Sequence, residues 1–152
     1  MRSNVWLASL VLIIVYTFPA CASGFDDKVF DQHTIDALAL KASQAPPREQ
    51  CFLYAQLVHQ MTEVSLRQYS AGESEKASGM LKQIQALVHK MHISMTENDK
   101  RLKDSEILLR HAAFRLGEML HNSNYEDRTL VAETLAQVDQ AQNETMMQVF
   151  RK

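Results

Sequence analysis

The side chains in this sequence best suited to chemistry are its six histidines and eight methionines. His89-Lys90-Met91-His92-Ile93-Ser94-Met95 sets two imidazoles and two thioethers close together. Copper accepts both kinds of donor, so His89, Met91, His92 and Met95 form a candidate soft-metal set. His89 and His92 are three apart and would be neighbours on a helix. The competing reading is packing, because Met91 and Met95 fall on the apolar stripe of their segment and His89 on its flank. Methionine at helical core spacing usually fills space.

Other constellations are weaker. Glu118-Met119-Leu120-His121 is one Glu-x-x-His, whereas di-iron bundles need that motif on two helices. The His-Glu-x-x-His of zinc proteases is absent from the sequence. No Cys-x-x-Cys-His exists for covalent haem attachment. A b-type haem would need one methionine, Met61 or Met146, facing His111. Cys51 and His59 lie eight residues apart, so on one helix their directions differ by about 80°, poor geometry for a nucleophile and its base. No Gly-x-Ser-x-Gly elbow is present. Asp26-Asp27 and Glu126-Asp127 read as helix-terminal charges. Lys100-Arg101-Leu102-Lys103 is a small basic cluster, flanked by Asp99 and Asp104, and reads as a solvated turn or helix end.

Composition narrows the classes further. The four glycines stand alone, which excludes Gly-rich phosphate loops. Sixteen Lys+Arg balance 18 Asp+Glu, for a net charge of −2, without the basic excess of a nucleic-acid binder. The expectation is a non-enzymatic chain with no resident cofactor.

The elements that must position these side chains lie beyond an N-terminal leader. Met1, Arg2 and Asn4 precede an apolar run from Val5 to Phe18. Pro19 breaks it, and Ala20-Cys21-Ala22 offers the small-x-small pattern of signal peptidase. Residues 1–22 therefore read as a secretory signal peptide. The run is shorter than the ~20 residues that span a bilayer. The alternative is a lipoprotein acylated at Cys21, although Phe18-Pro19-Ala20 lacks the usual leucine three positions before the cysteine. Cleavage removes Arg2, leaving 15 Lys+Arg against 18 Asp+Glu, and removes Trp6 and Cys21. Cys51 then remains as one thiol, read as buried and inert, with an intermolecular disulfide as the alternative.

Residues 23–45 form a polar lead and a short helix near Thr34–Ser43, ended by Pro46-Pro47. Residues 46–152 form the helical domain. Cys51, Tyr54, Leu57, Val58, Met61 and Val64 define one helical face, and Gly72 comes next as a cap. Ala77, Leu81, Ile84, Val88, Met91 and Met95 form a second stripe. Leu102, Leu109, Ala112, Leu116 and Met119 form a third. The polar run from Thr96 to Arg101 reads as a turn, with Asn98, Asp99 or Asp104 as cap. The alternative is one continuous helix over residues 74–121, about 72 Å long. Ser123 and Glu126 suggest a capping box for a last helix from Tyr125 to Phe150, with Val131, Leu135, Val138, Met146 and Val149 inward. Strand signals are absent. The fold class is all-α, an antiparallel up-down bundle of about four long helices plus the short N-terminal one.

Arg48-Glu49-Gln50-Cys51-Phe52-Leu53-Tyr54-Ala55, and Arg115-Leu116-Gly117-Glu118 through Glu126-Asp127-Arg128, resemble short exported helical proteins of unknown function from acidobacteria. That resemblance covers roughly residues 45–150. It implies a bacterial envelope location and carries over no activity and no catalytic residues. The sequence thus leads to an exported helical bundle, periplasmic or secreted, without stable membrane insertion after cleavage. It would act by binding a protein partner or a second copy. The alternative is a periplasmic metal or haem carrier.

Overall fold

A computed structural model describes residues 30–95 and 101–151. The signal-peptide residues, Cys21, Asn98 and Asp99 lie outside the described residues. The described chain is helical, without strands: α1 (Gln32–Gln44), α2 (Pro47–Ser70), α3 (Ser74–Ser94), α4 (Leu102–Asn122) and α5 (Tyr125–Phe150).

Local chemistry sets several helix ends. Asp31 caps α1 by accepting from the Thr34 amide at 2.8 Å. Pro47 starts α2, where its missing N–H leaves no bond unmade. Past the end of α2, Gly72 takes φ +80°, its amide donating to the Tyr69 carbonyl and that of Glu73 to the Gln68 carbonyl. This is a Schellman closure, and glycine enters its left-handed position without a Cβ penalty. At the start of α5 the cap is Asn124, not Ser123: its side chain accepts from the Asp127 amide at 2.9 Å. The Ser123 hydroxyl instead donates backward to the Met119 carbonyl, so the expected capping box with Glu126 does not form.

The long-helix alternative over residues 74–121 is overturned. Helix α3 ends at Ser94, and α4 begins after Arg101, whose φ is +61°. Asp104, one of the three expected caps, lies inside the first turn, where it accepts from Arg101 Nε at 2.7 Å. The left-handed backbone at Arg101 is costly for a residue with a Cβ. Its guanidinium is held 3.6 Å above the Phe52 ring centroid, a cation–π contact that offsets part of that cost.

Helices α2 to α5 alternate in direction, as expected, but their neighbours are not all sequential. Helix α3 packs on α2 and α5, and α4 packs on α2 and α5, while α3 and α4 lie diagonally opposite. Glu63 meets Arg115, and Tyr69 meets the Asn124 amide, so α2 and the α4 side rise together. Ser78 meets Asp127, Gln85 meets Thr134 and His92 meets Glu144, so α3 and α5 are parallel too. Two antiparallel hairpins are thus stacked in the same sense. Helix α1 packs on α2 alone.

Burial follows a seven-residue rhythm. Leu102, Ser105, Leu109, Ala112, Leu116 and Met119 of α4 face the core, as do Val131, Thr134, Val138, Ala141 and Thr145 of α5. Alternating steps of three and four keep one seam inward. Fully burying a leucine such as Leu81 or Leu109 stabilises the fold by about 1.5–3 kcal/mol. The buried hydroxyls do not go unsatisfied: Thr62 donates to the Val58 carbonyl, Thr134 to that of Leu130 and Thr145 to that of Ala141, each at 2.8 Å. Helix α2 is covered on three sides, which buries Phe52, Leu53 and Ala55 beside the expected Cys51, Leu57, Val58 and Met61.

Candidate functional site

The His89–Met95 run is divided by the helix that carries it. Met91 is fully buried, and Met95 packs against the core half-buried. His89 and His92 are exposed on the other side. A four-donor set on one face therefore does not form, because 100° per residue turns Met91 inward between them. What forms instead is an open cleft of about 380 Å³ between α3 and α5, lined by Val88, His89, His92, Gln140, Ala141 and Glu144. His92 Nδ1 lies 2.7 Å from Glu144 Oε2. Burial pushes the Glu144 carboxyl up, but hydrogen bonds from Gln140 and His92 outweigh it and hold the group below its ordinary value. Among the described residues, no three His, Cys, Asp or Glu side chains converge as a ready-made ion cage.

The other expected pairs are separated. Met61 is a core residue, whereas His111 is exposed and turned toward His59 of α2. Met146, expected inward, is exposed beside Lys103 and Glu106, more than a helical turn along α5 from the level of His111. Among the described residues, no helix covers it at the end of the α4–α5 hairpin. Glu118 pairs with Arg115 instead of working with His121. Cys51 is fully buried, so a disulfide to a second copy would require opening the core.

A polar cluster that no motif announces lies on the seam between α2 and α4. Arg115 grips Glu63 in a fork, Nε to Oε1 at 3.0 Å and Nη2 to Oε2 at 3.1 Å. Its remaining nitrogen reaches Glu118, one turn on. The hydrogen bond to Glu63 raises the Arg115 pKa further against the opposing effect of burial. One turn before Glu63 on α2 and Arg115 on α4 stand His59 and His111, their ring centroids 6.1 Å apart. The Phe30 ring stands edge-on to His59 at 6.3 Å. Burial pushes the His59 pKa down. The charge of Glu63 opposes this, and those of His111 and Arg115 add to it. The net effect holds the imidazole below its ordinary value. The spacing is visible in the sequence, since His59 precedes Glu63 by four as His111 precedes Arg115. The parallel register that brings the two pairs together is not.

A third surface lies at the free end of the second hairpin. Lys103, Glu106, Arg110, Met146, Val149 and Phe150 line a groove of about 300 Å³. Phe150 is 81% exposed and Met147 61%. Ile107 and Phe114, exposed and seven apart, extend the apolar character along α4.

No known protein family, curated protein or solved structure matches this chain. Among the described residues no helix is long and apolar enough to cross a membrane.

Proposed function

We propose that this is an exported, non-enzymatic helical-bundle protein that acts by binding, to a second copy of itself or to a protein of the cell envelope. The signal-peptide pattern of residues 1–22 supports export. The observation that carries the binding reading is the apolar surface around Met146, Met147 and Phe150 at the end of the α4–α5 hairpin. Large apolar side chains left together on a small bundle mark an interaction surface, because their burial against a partner releases ordered water. Light scattering after size-exclusion chromatography, with a pull-down from envelope extract, tests this. A dimer or a specifically retained partner, lost in Met147→Glu and Phe150→Glu, is the expected result. A monomer that retains nothing contradicts it.

A second reading is a periplasmic metal carrier. It rests on the α3–α5 cleft, which His89, His92 and Glu144 line together. These are nitrogen and oxygen donors, so the cleft would favour a borderline cation over one needing thioethers. Metal analysis of protein purified from its native compartment tests it. Absence of bound metal, with no stabilisation by added copper, sinks it.

A further inference from the structure

The α2–α4 seam holds two imidazoles at one level on parallel helices, an arrangement no motif accounts for. A metal ion bound by imidazole sits about 2.0–2.1 Å from the nitrogen, hence about 3.2 Å from the ring centroid. Two rings on one ion are then separated by about 5.2 Å at a tetrahedral angle and about 6.4 Å when opposed. The His59–His111 separation of 6.1 Å falls within that interval.

Three further features favour a cation there. His59 is partly buried, so an ion held there is shielded from part of the solvent. Arg115 brings one positive charge, but it is gripped by two carboxylates, Glu63 and Glu118, which leaves that trio net negative. The aromatic edge of Phe30 shields one side of His59, while His111 remains open to water that can complete the coordination.

We infer that His59 and His111 form a two-histidine site for a divalent transition-metal cation of the zinc, nickel or copper class, clamping α2 to α4. Water fills the remaining positions. The inference stands apart from the binding function proposed above, and either can fail alone.

Titration of the untagged protein with Zn2+ and with Ni2+ by calorimetry, alongside thermal melts, is the test. The expected result is saturable binding near one ion per chain. The melting midpoint should rise by about 10 °C at a hundredfold excess over Kd. His111→Ala, at an exposed position, and His59→Gln should each weaken binding at least tenfold, while His121→Ala, also at an exposed position, should bind as the parent does. If His59→Gln does not fold, His111→Ala decides alone. No saturable binding overturns the inference. So does binding unaltered in His111→Ala, or binding weakened as much in His121→Ala.

Discussion

Arg115 and Glu63 meet across the α2–α4 seam through two nearly parallel hydrogen bonds, at 3.0 and 3.1 Å. A forked contact of this kind constrains angle as well as distance. It fixes the level at which two parallel helices sit, and with it the facing of His59 and His111. Both partners retain some exposure, so the pair's strength is set by partial solvent screening. A double-mutant cycle of Glu63→Gln and Arg115→Met should give a coupling of about 1 kcal/mol that shrinks in high salt. No measurable coupling at low salt would mean the fork is only incidental to the register.

Protonation should weaken the fold in two separate windows. His59, partly buried and with its pKa held down, binds fewer protons folded than unfolded, so stability declines as pH falls below the unfolded value of about 6.5 toward the lower folded value. Glu144, held below its ordinary value, stabilises above its unfolded pKa and loses that contribution as pH falls through the folded one. Denaturant melts from pH 8 to pH 3 should therefore show an upper step that disappears in His59→Gln and a lower step that weakens in Glu144→Gln. An upper step of undiminished size in His59→Gln would assign it to another group.

The His89–Met95 run should split in its stability effects. Met91→Ala should cost about 2–5 kcal/mol, because it empties a fully buried site. His89→Ala should stay within about 0.5 kcal/mol of the parent, as surface changes do. Chemical denaturation of the two variants reads this directly. Comparable losses would place both side chains in one functional set, against the geometry.

How much of the fold is legible in the sequence depends on how many sides of a helix are covered. Ala77, Leu81, Ile84, Val88 and Met91 of α3 are read correctly, since a helix with one inward seam shows one apolar stripe. Helix α2 packs on α1, α3 and α4, so Phe52, Leu53 and Ala55 are buried off the stripe that spacing identifies. Thr134 and Thr145 of α5 escape notice because hydroxyls that bond their own helix occupy core positions without looking apolar. Ser123 matches the capping-box spacing to Glu126 while Asn124 is as good a cap by type, and only the backbone path distinguishes two adjacent capping residues. The His59–His111 pair depends on α3 and α4 lying diagonally, which places α4 beside α2. No local pattern encodes that choice.

The glycines should divide by backbone geometry. Gly72→Ala should destabilise by about 1 kcal/mol, since φ +80° penalises a Cβ even with open space around it. Gly79→Ala and Gly117→Ala lie inside α3 and α4, where an added Cβ meets nothing within 4 Å. Each should stabilise by about 0.5–1 kcal/mol through improved helix propensity. Thermal melts of the three variants check the signs, and a stabilising Gly72→Ala would refute the left-handed closure.

Binding through the apolar end of the α4–α5 hairpin is what we propose for this bundle. Light scattering of the untagged protein after size-exclusion chromatography, run with and without envelope extract, tests it most directly. The expected result is a dimer, or a complex with one retained protein, that Met147→Glu and Phe150→Glu abolish while the helical signal is unchanged. A protein that stays monomeric and captures no partner, or whose complex survives both substitutions, would contradict it.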